Sequence, residues 1–109
     1  MTVGELSRRI GGTLIAANAD NEISRGMVCD MLSHAMAHGK AGCAWITVQT
    51  HMTAVAIATQ CSMACIIWPD VAADMLSAQR AEREGIAIIC SPLSAYEIAG
   101  IMHEAGIQA

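Results

Sequence analysis

The pattern of apolar and polar positions along the chain is dominated by residues 41–69, which include no Asp, Glu, Lys or Arg. Within this stretch, apolar runs at 43–48 and 63–68 flank a run rich in Ala, Val and Ile at 52–59. Continuous apolar runs are typical of strands that are covered on both faces of a sheet. The stretch therefore predicts a strand, a helix and a second strand, with parallel strands and a right-handed crossover.

The residues before this unit predict a short helix and two extended segments. Thr2 and Glu5 match a capping box, and Gly11 lies where the helical spacing of apolar residues ends. β-type runs follow at 13–17 and 23–29, separated by the turn-forming residues Asn, Asp and Asn. These runs predict a pair of short strands ahead of the central unit.

Two further features lie between this pair and the central unit. Gly26 interrupts the second run, which predicts a bulge or a close approach of another backbone. Asp30 precedes a predicted short helix over 31–38. We expect Asp30 to cap this helix, with a role as a site carboxylate as the alternative.

One strand and two helices are predicted after the central unit. Asp70 is expected to cap a helix that ends at Gly85, and the apolar run 86–90 predicts a strand. Ser94 begins a second capping-box pattern at the start of the final helix. Gly100, in the middle of that helix, is expected to permit a close helix contact.

Together these elements predict one domain over residues 1–109, a three-layer α/β/α fold with a largely parallel central sheet. The chain is 54% hydrophobic and 15% charged, whereas typical domains are about 45–50% apolar and about 25% charged. Part of this apolar excess is expected to lie in a subunit interface, because a small domain has a large surface for its volume. The composition therefore predicts a homodimer.

Charge excludes some classes of partner. The net charge is −4, and the six Lys and Arg residues are scattered along the chain, so we expect no nucleic-acid partner. The uncharged stretch is long enough to span a membrane, but its Thr, Gln, His and Ser residues cluster at predicted element boundaries. We therefore expect it to be buried in the domain, with no membrane contact.

The five cysteines are an odd number and lie mainly in apolar runs. Residues 1–12 carry three charges and lack the apolar core of a signal peptide. We therefore expect reduced, buried thiols in a cytoplasmic protein. Cys61 and Cys65 have a C-x₃-C spacing, and a paired redox site is the alternative that the expected burial of Cys65 opposes.

A family resemblance is carried by the strings ISRGMVCD, LSHAMAHGKAG and CAWITVQTH, in that order, followed by two βα units. This pattern covers essentially the whole chain and resembles the DRTGG-type domains, which are similar to the N-terminal domain of HPr kinase/phosphorylase. The resemblance implies a three-layer α/β/α fold and commonly a dimer, with no settled activity. The DRTGG string itself is absent, although Ser24, Arg25 and Gly26 lie near the corresponding position.

The same resemblance does not extend to a kinase. An HPr-type kinase needs a G-x-x-x-x-G-K-[ST] loop to hold the phosphates of ATP, and the sequence contains no such loop. No elbow of the type G-x-S-x-G occurs either. The sequence therefore favours a domain that is not an enzyme and carries no cofactor.

The predicted ligand site lies where the first strand of the central unit ends and its helix begins. In open α/β sheets, ligands bind outside the carboxyl ends of parallel strands, where helix N-terminal amides favour anions. The hydroxyl, amide and imidazole groups at this point could orient a nucleotide or metabolite. They belong to Thr47, Gln49, Thr50 and His51. The alternative is that Thr50 or a neighbour caps the helix and Thr47 merely favours a strand.

Two further pairs of residues are candidates for a site. Ser91 and Ser94 follow the next parallel strand on the same predicted edge, with Ser94 expected mainly to cap the final helix. His34 and His38 have the i, i+4 spacing of two metal ligands on one helix face, but no third ligand is placed by the sequence. We expect no metal site there.

The expected function is a non-enzymatic regulatory or ligand-binding domain that acts as a dimer. It is expected to sense a small anionic or nucleotide-like ligand, or to dock to a larger enzyme or regulatory partner. A purely structural interaction module is the main alternative. A small hydrolase or transferase that uses Asp30 and residues 47–51 is the third, and no complete set of acid, base and nucleophile can be assembled for it.

Overall fold

A computed structural model describes residues 1–16 and 18–109. Within these residues the chain forms five strands and five α-helices. The strands are β1 (Thr13–Ala16), β2 (Arg25–Val28), β3 (Cys43–Ile46), β4 (Cys65–Pro69) and β5 (Ala87–Ser91). The helices are α1 (Val3–Arg9), α2 (Leu32–His38), α3 (Met52–Gln60), α4 (Met75–Glu84) and α5 (Ala95–Glu104).

The strands form one sheet in the order β1-β5-β4-β3-β2. From β2 to β5 each strand pairs in parallel with the next one along the chain, and β1 pairs antiparallel with β5. Each crossover connection therefore leads to the neighbouring strand, always on the same side of the previous one. Right-handed crossovers of this kind place α2, α3 and α4 on the same face of the sheet.

Two apolar clusters fill the spaces above and below the sheet. One joins alternate strand residues to α2, α3 and α4, and the other joins the intervening residues to α1 and α5. β3 and β4 are buried at every position, which explains why the sequence shows continuous apolar runs there in place of alternation. The predicted three-layer α/β/α fold with a largely parallel sheet is confirmed.

The larger cluster packs two indole rings against small helical side chains. Trp45 of β3 and Trp68 of β4 are fully buried. The helices that cover them contribute small residues to the same cluster: Ala35, Ala54, Ala58, Ala78 and Ala81. Large strand residues and small helix residues fill the layer together, which lets the helices lie close to the sheet.

Several local predictions agree with the structure. Capping boxes are present at Thr2 and at Ser94. At Gly26 the prediction of a bulge or a close backbone approach is wrong: the register with β3 is regular, and a Cβ atom there would lie 2.7 Å from the Cε atom of Met102, a side chain of α5. β1 ends at Ala16, and Ala17, the last residue of the predicted first run, lies outside the described residues.

Two further predictions are wrong. Asp70 does not cap a helix: its φ is +46°, its amide donates to the carbonyl of Ser91 at 2.8 Å, and α4 begins five residues later, after Asp74. The Asp70 amide thus extends the pairing between β4 and β5, which keeps the preceding Pro69 in the sheet. Gly100 makes no close helix contact, because a Cβ atom there would have no neighbour within 4 Å among the described residues.

The uncharged stretch forms the centre of the sheet layer. It supplies β3, α3 and β4, although β3 ends at Ile46, two residues before its predicted end. No helix within residues 1–16 and 18–109 has the length and apolar character needed to cross a membrane.

Candidate functional site

The carboxyl ends of β2, β3, β4 and β5 lie along one edge of the sheet, which we call the carboxyl edge. The residues predicted for the ligand site lie in the loops that follow these strands, except Ser91, which is the last residue of β5. β4 lies between β3 and β5 in the sheet, so the group at 47–51 and the pair Ser91 and Ser94 are separated by one strand.

Asp30 joins the loops that follow β2 and β3. Its Oδ1 atom accepts hydrogen bonds from the Thr47 hydroxyl and from the Val48 amide, each at 2.9 Å. In return the side-chain amide of Gln49 donates to the Asp30 carbonyl at 2.9 Å. Met31, not Asp30, is the N-cap residue of α2, and the helix has no side-chain cap, so the prediction that Asp30 caps it is wrong. The carboxylate stabilises a neighbouring loop instead.

Thr47 and the loop after it are held from within the domain. The Thr47 side chain is buried, and its hydroxyl also accepts from the Gln49 amide at 3.1 Å. Below the loops, the indole N–H of Trp45 donates to the Cys29 carbonyl at 2.7 Å, and that of Trp68 donates to the Gln49 carbonyl at 3.1 Å. The hydroxyl of Thr47 therefore stabilises the loops of the domain and is not free to bind a ligand.

Thr50 and His51 lie at the start of α3. His51 is exposed and occupies the N-cap position, but the side chain makes no capping hydrogen bond. The alternative prediction, that Thr50 or a neighbour caps this helix, is therefore wrong. Because the first N–H groups of a helix have no partner within the helix, the start of α3 offers hydrogen-bond donors to an anion.

The start of α4 lies beside the same loop. The Ser77 hydroxyl lies 2.8 Å from the Thr50 carbonyl oxygen and 2.5 Å from a carboxylate oxygen of Asp74, so its proton is shared between two acceptors. Asp74 is the N-cap residue of α4, and its side chain makes no capping bond. Sequence reasoning missed Asp74 and Ser77 because it placed a helix over the loop at 70–74. Their D-x-x-S spacing was the available signal.

Ser91 and Ser94 are both used by the fold. The Ser91 hydroxyl is buried, donates to the carbonyl of Ile10 at 2.7 Å and accepts from the amide of Leu93 at 3.2 Å. It thereby fixes the end of α1 to the end of β5. Ser94 caps α5 through its capping box with Glu97, as predicted.

The direction of the chain changes between β4 and β5. The loop after β4 leads to α4 on one face of the sheet, whereas the loop after β5 leads to α5 on the other face. In open α/β sheets, such a change opens a crevice in which ligands bind. Residues 70–74 form the loop between β4 and α4, and the start of α4 is joined to the start of α3 through the bond from Ser77 to the Thr50 carbonyl.

A groove between α3 and α4 continues from this region. It has a volume of about 480 Å³, and its lining includes Met52 and Thr53 at the start of α3. At its far end, the Nε atom of Arg80 lies 3.0 Å from a carboxylate oxygen of Glu84. The groove is large enough for a small organic ligand.

His34 and His38 lie side by side on α2. Their ring centroids are 4.0 Å apart, with 21° between the ring planes. Within the residues that the structure describes, no group of three or more His, Cys, Asp or Glu side chains is placed to hold a metal ion.

The cysteines are all free thiols, so the C-x₃-C pair forms no disulfide. Burial raises the pKa of Cys43 to about 11 and raises the pKa of Cys65 well above its usual range. Both thiols are therefore protonated at neutral pH. This protonation opposes a redox role for Cys65, because the thiolate is the reactive form.

The chain was compared with known families, curated proteins and solved structures. No family model and no curated protein matches it. One solved structure with the same fold contains the CBS and DRTGG domains of the regulatory region of Clostridium perfringens pyrophosphatase, complexed with its activator, diadenosine tetraphosphate. The TM-score is 0.77 at 10% sequence identity, over 93% of this chain and 45% of that chain.

This chain therefore spans less than half the length of the structure that it matches. At 10% identity the likeness concerns the fold. It supports the resemblance to DRTGG-type domains that the sequence indicated: the chain has a fold that is found in an enzyme's regulatory region.

Proposed function

We propose that this chain is a regulatory domain that binds a small, nucleotide-like ligand at the carboxyl edge, between the starts of α3 and α4. The observation that carries the proposal is the pair of helix starts without side-chain caps, held together through Ser77 and the Thr50 carbonyl. The shared fold with a regulatory region that was crystallised with a dinucleotide activator supports the same ligand class.

The charges along this edge suggest an orientation for the ligand. A phosphate group fits the start of α3, where the backbone N–H groups and the exposed His51 ring can donate to it. Asp70 and Asp74 lie in the loop before α4 and would repel a phosphate there. Carboxylates are suited to the hydroxyl groups of a ribose instead. We therefore place the phosphate over α3 and the sugar toward α4.

A non-enzymatic role fits the bonds within this edge. Asp30 and Thr47, the side chains that a small hydrolase would use as base and nucleophile, are bonded to each other and to the main chain. These bonds leave no free pair of base and nucleophile aimed at a substrate. The geometry favours binding over catalysis.

The apolar surface near the carboxyl edge supports a dimer or docking to a larger enzyme. Among the described residues, eight of the nine exposed large apolar side chains lie at strand ends, in loops or at helix starts along this edge. They are Val28, Met31, Val48, Met52, Val71, Met75, Leu76 and Tyr96. Exposed apolar patches of this kind mark interaction sites. We propose that a second copy covers part of this surface.

The ligand is tested by thermal unfolding in the presence of ATP and of diadenosine tetraphosphate. A rise in Tm that grows with ligand concentration is expected, because a ligand that binds only the folded state stabilises it by RT ln(1 + L/Kd), where L is the free ligand concentration. His51→Ala should remove most of the rise without lowering the Tm of the free domain. His103→Ala, at an exposed position of α5, is the matched control. An equal rise in wild type and His51→Ala would refute the site.

The dimer is tested separately by sedimentation. Leu76 is 63% exposed at the start of α4, so Leu76→Glu should convert a dimer into a monomer with little loss of stability. A wild-type monomer at micromolar concentration would refute the dimer. A dimer whose Tm does not respond to any nucleotide would favour the second candidate, a structural interaction module, which the exposed apolar edge also supports.

A further inference from the structure

A second polar cavity lies at the opposite end of the sheet, beside the edge strand β2. Its volume is about 240 Å³, and its lining includes four basic side chains. Arg25 is the first residue of β2, His34 and His38 belong to α2, and Lys40 follows that helix. The other lining residues are Gly26, Met27, Cys43 and Ala109, and none of the lining side chains is a carboxylate.

This concentration of basic groups contrasts with the whole chain. The protein has a net charge of −4, with six Lys and Arg residues and four His residues. Two of those six and two of those four line this one cavity. Cations after a helix C-terminus are favoured by the helix dipole, so His38 and Lys40 would not by themselves indicate a site. Arg25 lies on a different element.

Arg25 has an unmet hydrogen-bonding need. Its Nε atom is buried and has no hydrogen-bond acceptor within residues 1–16 and 18–109. Its guanidinium also makes no ion pair with any described carboxylate. A buried donor on a charged group is costly when it has no partner. An oxyanion is the partner that matches the fork geometry of a guanidinium.

The histidine pair adds a second type of contact. The Nδ1 atom of His38 lies 3.1 Å from the His34 carbonyl oxygen, which can only accept, so Nδ1 carries the proton. In the neutral ring, Nε2 is then an acceptor. It can accept from the hydroxyl of a monohydrogen phosphate while Arg25 and Lys40 donate to the other oxygens.

We propose that this cavity binds a phosphate group, either as the free ion or on a small phosphorylated molecule. The volume is below the range of about 300–1,000 Å³ that is usual for drug-sized ligands, so it fits a phosphate better than a whole nucleotide. This site lies at the amino ends of β2 and β3, away from the carboxyl edge. It is therefore independent of the nucleotide site proposed above.

The test is a titration of the isotopically labelled domain with inorganic phosphate, followed by amide chemical shifts. Saturable shifts are expected for Arg25, Gly26, Lys40 and the end of α2, with a dissociation constant in the millimolar range or tighter. Shifts confined to residues 51–54 would place phosphate at the start of α3 and overturn the proposal. A parallel titration with phenyl phosphate identifies the source: tighter binding than the free ion assigns a phosphorylated molecule, and weaker binding assigns the ion.

Arg25→Gln should weaken phosphate binding by about tenfold or more, since it removes the positive charge and the paired N–H donors of the guanidinium. Lys40→Gln should weaken it by a smaller factor. Arg83→Gln, on the exposed face of α4, is the control and should leave binding unchanged. If Arg25→Gln fails to fold, as judged by circular dichroism, Lys40→Gln and His38→Ala decide the question. Wild-type affinity in those variants overturns the proposal.

Discussion

The two ends of the sheet use polar side chains in opposite ways. At the carboxyl edge, Asp30 and Thr47 are bonded to each other and to the main chain, and Ser91 is bonded to the main chain at Ile10 and Leu93. At the amino end, Arg25 keeps a buried N–H group that no described residue accepts. At the carboxyl edge these three side chains are thus satisfied within the fold, and the open donors are the uncapped starts of α3 and α4, whereas at the amino end a side chain itself lacks a partner. A cluster of polar residues indicates a ligand only when its hydrogen bonds are left open.

The first prediction concerns the core beneath the carboxyl edge. Trp68 is fully buried, and its indole N–H holds the Gln49 carbonyl. Trp68→Ala should lower the free energy of unfolding by about 3–5 kcal/mol, as is usual for a buried indole. Tyr96→Ala, at an 88% exposed aromatic residue, is the control and should change it by less than about 0.5 kcal/mol. Urea denaturation measures both, and equal effects would contradict this account of the edge.

The second prediction tests whether Asp30 stabilises the loop after β3. Asp30→Ala leaves the buried Thr47 hydroxyl and the Val48 amide without their acceptor, which should lower the free energy of unfolding by about 1–3 kcal/mol. Adding Thr47→Val should recover part of that loss, because both partners of one bond are then apolar. Asp20→Ala, in an exposed turn, is the control. No recovery in the double variant would argue against the Asp30–Thr47 bond.

The third prediction uses pH at the amino end. Burial raises the pKa of Cys43 from 9.0 to about 11. Below pH 9 the thiol is protonated in both states, so its contribution to stability is complete. Between pH 9 and 11 only the unfolded state loses the proton, so the free energy of unfolding falls by up to about 1.4 kcal/mol per pH unit. Denaturation at pH 8 and pH 10 should show a shallower decline in Cys43→Ala than in wild type. Parallel declines would refute the assignment.

The smallest effect is expected at Arg25. Because its buried N–H has no acceptor in the domain, Arg25→Gln should change the free energy of unfolding by no more than about 0.5 kcal/mol, or raise it slightly. Asp30 and Arg25 thus form a contrasting pair of charged residues, one needed for stability and one not. A loss above about 1 kcal/mol at Arg25 would show that the two ends are alike.

Much of the fold was predictable because its signals are local. Continuous apolar runs marked β3, β4 and β5 as buried on both faces, and the capping boxes at Thr2 and Ser94 located two helix starts. The prediction for Asp70 was wrong because an Asp after an apolar run is typical of a helix N-cap. In the structure its backbone amide bonds to the carbonyl of Ser91 in β5 instead. A hydrogen bond to another strand leaves no trace in a local pattern.

The site was less predictable for the same reason. Asp30 and Thr47 are 17 residues apart, and nothing in either segment shows that one satisfies the other. The sequence placed both at one edge and left open whether they were free. Arg25 and Lys40 meet only because β2 pairs with β3 and α2 packs beside them. Their shared cavity is a product of the topology, not of spacing.

The strand order has a consequence for how the chain assembles. From β2 to β5 each strand pairs with the strand that precedes it in the chain. This part of the sheet can therefore form in the order of synthesis, through contacts between residues that are close in sequence. β1 is different: its partner β5 is about 70 residues further along the chain. During synthesis β1 has no partner until β5 has been made, and the outer edge of β5 stays unpaired until β1 docks on it. We expect this last closure to be the slow step of folding and the moment when neighbouring chains could exchange strands.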